Sequence, residues 1–148
     1  MTEKELKDRF KLKVETDLTL VNSVKIHKGF NLKQLTHAQF PAAAIDIGHA
    51  IHDMQNPYLV GQDINLTIAV RDWKTIYGDD ARDELLAVKV QIMENLRVIY
   101  GLNNEASDDL QQCFITYNDA LPMQDVLREG GRVYFQTFLF YAEYDSTP

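Results

Sequence analysis

The stretch Arg132–Tyr144 reads RVYFQTFLFYAEY, a run rich in aromatic and β-branched side chains with no proline or glycine. Such a run is a strand. Strand alternation puts Val133, Phe135, Thr137, Leu139 and Tyr141 on one face and Tyr134, Gln136, Phe138, Phe140 and Tyr144 on the other. Both faces therefore carry aromatic rings. A two-layer α+β domain covers one sheet face with helices, so this strand asks for a second cover, from the domain's own loops or from another subunit. Interfaces favour aromatic anchors, and Tyr134, Phe138, Phe140 and Tyr144 are the candidates for such a face.

At 148 residues the chain is the length of one domain, and residues 1–148 are expected to share a single core. Thr2 and Glu5 form a capping-box pattern, followed by Leu6, Phe10 and Val14 at a spacing of four. These predict a first helix reaching about Glu15. Val24 and Ile26 alternate with Lys25 and His27 as a short strand, after which Gly29 and residues 30–39 read as loop.

Phe40-Pro41 then leads a strand predicted from Ala42 to about His49. The segment that follows holds the turn signal Asn56-Pro57 and predicts a long hairpin arm, Ile51 to Gln62. Its return strand alternates cleanly, with Ile64, Leu66, Ile68 and Val70 on one face. Leu85, Val88, Ile92, Leu96 and Ile99 follow at steps of three and four. They predict a main helix from Ala81 to Tyr100, with Asp79 or Asp80 as its cap and Gly101 as its stop.

Trp73–Gly78 and Asn103–Asp109 read as connectors, Cys113–Tyr117 as a short strand, and Asp119–Glu129 as irregular or briefly helical before the turn at Gly130-Gly131. The fold class expected is α+β. It has a mixed, mostly antiparallel sheet of four to five strands, helices packed on one face and one long β-hairpin arm.

The balance of 45% hydrophobic and 25% charged residues is that of a soluble globular chain, and no apolar run reaches membrane-spanning length. No membrane is expected among the partners. The first ten residues, MTEKELKDRF, lack the apolar core of a secretory signal, so the protein is expected to stay where it is made. Cys113 is the single cysteine, which excludes an intrachain disulfide and suits a reducing compartment and a buried thiol.

The net charge of −7 argues against direct nucleic-acid binding. That charge is uneven: residues 1–40 hold eight Lys or Arg against five Asp or Glu, a net of +3, and residues 41–148 hold seven against seventeen, a net of −10. A basic end could dock on the acidic body of a second molecule, or the two could be differently solvated faces.

Chemistry is sparse. His49, His52 and Asp53 offer metal-ligand types within five residues, the basis for an alternative reading as a small metal-dependent hydrolase. On a strand, however, positions 49 and 52 point to opposite faces. No Gly-rich phosphate loop, nucleophile elbow or HExxH pattern occurs. The expectation is a protein that is not an enzyme, with no catalytic residues, no cofactor and no metal.

The order of elements resembles the tail terminator proteins of long-tailed bacteriophages, which cap the tail tube in the neck region. The resemblance lies in Phe40, Pro41, Ala42, Ala43 and Ala44 opening a strand, Ile64 to Arg71 returning along the hairpin, the helix from about Ala81 to Tyr100, and the aromatic closing strand Arg132 to Tyr144. It covers roughly residues 1–145.

The resemblance implies a homo-oligomer, a hexameric ring that stops tube polymerisation and gives the neck a docking surface. The tail tube protein and neck or head–tail connector proteins would be its partners. It also implies residence in the virion after assembly in the host cytoplasm. A head-side neck adaptor or head completion protein is the alternative within the same structural class. A head-to-tail ring needs one patch on each side of the subunit. Ile51, Met54, Tyr58 and Leu59 on the arm, with the four aromatic residues of the last strand, are the expected contacts.

Overall fold

The computed structural model describes residues 2–26, 39–72, 79–100, 113–128 and 131–146. The connectors expected at Trp73–Gly78 and Asn103–Asp109, most of the 30–39 loop, and Gly29, Gly101 and Gly130 lie outside them. The elements run α1 (Glu3–Asp17), β1 (Ser23–Ile26), β2 (Ala42–His52), β3 (Leu59–Asp72), α2 (Asp79–Asn95), β4 (Val98–Tyr100), β5 (Cys113–Ala120), β6 (Gln124–Arg128) and β7 (Gly131–Asp145). The class is mixed α+β, and the sheet has seven strands where four to five were expected.

The sheet order is β1-β2-β3-β7-β5-β4, with β6 also paired to β7. Every pairing is antiparallel except β1 with β2. β7 is the central strand. One edge pairs with β3 from Arg132 to Asp145, and the other is shared end to end by β6 and β5. Its length and aromatic content fit a strand with neighbours on both sides, where each side chain finds cross-strand partners.

The two extra strands come from sequence with weak signals. Gln124–Arg128, expected to be irregular or briefly helical, is a strand that forms a hairpin with the start of β7, and the exposed Leu121-Pro122-Met123 step separates it from β5. α2 stops at Asn95 and not at Tyr100, and Val98–Tyr100 pairs with β5. Leu96 and Ile99 are both buried, Ile99 from within β4, and their spacing of three mimicked another helical turn.

Both helices cover one sheet face. α1 starts as its cap predicts, with the Thr2 hydroxyl accepting from the Glu5 N–H at 3.1 Å. It buries Leu6, Phe10, Val14 and Leu18, and α2 buries Leu85, Val88 and Ile92. Against them stand Ala43 and Ile45 of β2, Ile64, Leu66, Ile68 and Val70 of β3, Phe138 and Phe140 of β7, and Cys113 and Ile115 of β5. Phe10 meets Phe140 edge to face, with ring centroids 5.6 Å apart. Full burial of each such side chain is worth about 1.5–3 kcal/mol. Gln91 and Asn95 of α2 tie down the end of α1, bonding Thr19, the Leu20 N–H and the Asp17 carbonyl.

Candidate interaction surface

The hairpin predicted as an arm is built from β2 and β3, and its β3 strand stays paired with β7 as far as Leu59. Between Ile47 and Ala50 the register shifts by one residue, and Gly48 and His49 drop out of the pairing. Gln62, buried at 1% exposure, occupies this break. Its Nε2 donates to the Gly48 carbonyl at 2.7 Å and to Glu3 Oε1 at 2.8 Å, and its Oε1 accepts from the Tyr144 hydroxyl at 3.0 Å. One amide thus joins the start of α1, both arm strands and β7. Burial, then the nearby Glu3 carboxylate and the Cys113 thiol, hold the Tyr144 ionisation above its ordinary value.

The tip is held by its own polar groups. Asp53 Oδ1 accepts from the N–H groups of Gln55 (2.7 Å) and Asn56 (3.0 Å), and Asn56 Oδ1 accepts from the Tyr58 N–H. Backbone bonds from Asp53 N to Leu59 O and from Leu59 N to Asn56 O close the loop, and Ser146 fastens it to the end of the chain through the Tyr58 carbonyl. This scaffold presents Met54 at 100% exposure, Ile51 at 67%, Tyr58 at 51% and Leu59 at 37%. All four expected arm contacts are exposed at one structured hairpin end.

The four candidates on β7 are placed differently. Tyr134, Phe138, Phe140 and Tyr144 face the helices and are buried, so they belong to the core and cannot meet a partner. The opposite face has no helix over it among the described residues, with Phe135, Thr137, Leu139 and Tyr141 half-buried and Glu143 exposed. A sequence signal for this parity exists. Ala142 lies between Phe140 and Tyr144 on the core face, whereas Glu143 continues the row of Leu139 and Tyr141 into water.

This outer face changes along its length. Near the start of β7, Phe40 folds over Ala42, Ala69 and Val133 in a small second cluster that Phe135 joins at its margin. The methyl side chains of Ala42 and Ala69 leave room for that ring. Next come Thr67 and Thr137, hydroxyl to hydroxyl at 2.8 Å.

Toward the arm, Tyr141 lies across Gly61 so closely that a Cβ there would run into its hydroxyl. A shallow cavity of about 130 Å³ opens beside it, between Ile51, Leu59, Tyr141 and Glu143. Burial, then Glu143 and Asp63, raise the Tyr141 ionisation. Leu121, Met123 and Val126, which the sequence reading missed, are exposed on and beside β6.

His49, His52 and Asp53 do not converge. His49 is at the register break, His52 Nδ1 sits 3.0 Å from the Pro57 carbonyl, and Asp53 is committed to the turn. Among the described residues no group of three His, Cys, Asp or Glu is placed to hold a metal ion, and no helix is long and apolar enough to cross a membrane. Cys113 is buried beneath α1, and burial, offset in part by Arg9, pushes its thiol up to about 11.

No family model matches the chain, and no curated protein matches it at a significant level.

Proposed function

We propose that this chain is a structural subunit acting by self-association and docking, as a phage tail terminator whose ring caps the tail tube, halts its growth and receives the neck. The observation that carries the reading is the arm tip. A turn fixed by Asp53, Asn56 and Ser146 holds Ile51, Met54 and Tyr58 out in water, where they contribute nothing to the core of their own chain. The half-covered outer face of β3 and β7 extends this surface, since Ile51 and Leu59 meet Tyr141 and Glu143 in one shallow cavity. Sixfold symmetry, the tube and the neck come from the resemblance in element order.

The test is electron microscopy of the protein mixed with purified tail tubes. Rings at one tube end are expected, and Met54→Asp with Ile51→Asp should abolish capping while leaving the fold intact. Tails made without the protein that keep normal length and still join heads would refute the reading.

A further inference from the structure

We infer that a second copy of this chain seats its β1 edge on the carboxylate-bearing half of the outer sheet face. This rests on reading the chain as a self-associating subunit and names the surfaces that meet.

Between the Thr67–Thr137 pair and the arm, the outer face presents Asp46 on β2, Asp63 on β3, Glu143 on β7 and Asp119 on β5 around Tyr141. Asp63 stands directly across from Tyr141, and Glu143 is the next outward position on β7, roughly 7 Å along the strand. Between the Thr67–Thr137 pair and the arm these rows hold no lysine or arginine among the described residues; Arg71 stands on the β3 row beyond Thr67. Like charges gathered on one sheet face repel, so the isolated subunit carries an electrostatic cost that a cationic partner removes.

The chain carries its own complement. Lys4, Lys7 and Lys11 recur at steps of three and four along one flank of α1, and Lys11 lies beside Val21–Val24, the approach to β1. Lys25 projects from β1 on its outer face, across from Ala44. Lys11 pairs with Glu15 at 3.6 Å, whereas Lys4, Lys7 and Lys25 make no ion pair among the described residues. β1 is also the end strand of the sheet order. Lys25 shares the outer face with Asp46, but the cationic edge sits at the β1 end of the sheet and the acidic patch is centred on β3 and β7, so the two patches are distinct. Their contact is therefore heterologous and repeats from copy to copy, as ring closure needs.

The experiment compares sedimentation of the full chain at low salt with two double variants, Asp63→Lys with Glu143→Lys and Lys7→Glu with Lys25→Glu. Each should weaken self-association by at least about tenfold. Mixing them should restore it, because every acidic-for-basic swap on one copy then meets its counterpart on the other. Zero-length coupling of light and heavy isotope-labelled wild-type chains should join Lys7 or Lys25 of one copy to Asp63 or Glu143 of another.

Association unchanged by either variant, failure of the mixture to recover, or a monomer in concentrated low-salt solution would each overturn the contact. If tubes are still capped by either variant, this contact falls and the terminator reading stands. If the reciprocal swap works and no tube is capped, the contact stands and the terminator reading falls.

Discussion

Neighbouring residues on β7 have opposite fates. Phe138 and Phe140 lie under two helices with essentially no exposure, whereas Leu139 and Tyr141, a residue away, face outward and are only half-buried. The outer row runs from a covered end at Val133, beneath Phe40, to an open acidic end at Glu143. Aromatic content alone thus says nothing about which face is a core. The inner rings are spent on stability, and the outer ones stay half-buried because no helix among the described residues crosses that side.

The sharpest way to break this contrast is truncation on both sides. Phe138→Ala should cost about 3–5 kcal/mol in denaturant unfolding, and Leu139→Ala about 1 kcal/mol or less. Equal midpoint shifts would show that both faces are core.

A second contrast is alkaline. Cys113 keeps its proton to about 11 in the folded chain, against an ordinary 9.0 when unfolded. Across that window the unfolded state holds fewer protons, so stability falls as pH rises, by up to about 2–3 kcal/mol. Below it the thiol contributes no pH dependence. Tyr117, Tyr141 and Tyr144, all raised first by burial, add in the same direction at higher pH. Thermal scans of Cys113→Ala should therefore show a flatter decline than wild type.

Gln62→Leu strips partners from the Tyr144 hydroxyl and the Gly48 carbonyl, and should cost about 1–3 kcal/mol in the same unfolding assay. Gly61→Ala on the outer side should cost about 1 kcal/mol, because the half-exposed Tyr141 ring can swing aside. That penalty should vanish in a Tyr141→Ala background, a double-mutant cycle that isolates the contact. Smallest of all, Met54→Ser should leave stability within about 0.5 kcal/mol of wild type while weakening tube capping, which separates the arm's role from the core's.

Much of the architecture was readable from local pattern. Thr2 caps the first helix, Ile64 to Val70 alternate onto a buried face, and the stripe from Leu85 to Ile92 covers the sheet, each because periodicity records a single neighbouring surface. The exposure of Ile51, Met54, Tyr58 and Leu59 was legible too, since they flank a turn signal within one hairpin. β6 was not, because Gln124–Arg128 owes its conformation to pairing with β7 and not to a pattern of its own. Val98–Tyr100 became strand for the same reason, through its pairing with β5.

By itself the sequence determined the alternation of β7, its two apolar faces and the charge difference between the first forty residues and the rest. Only the tertiary structure decided which face the helices take. Alternation has two equivalent phases until a long-range partner selects one. Here β3 made that selection, aligning Ile64 with Phe140 and Leu66 with Phe138 beneath α1 and α2, and leaving Asp63 with Tyr141 on the open side.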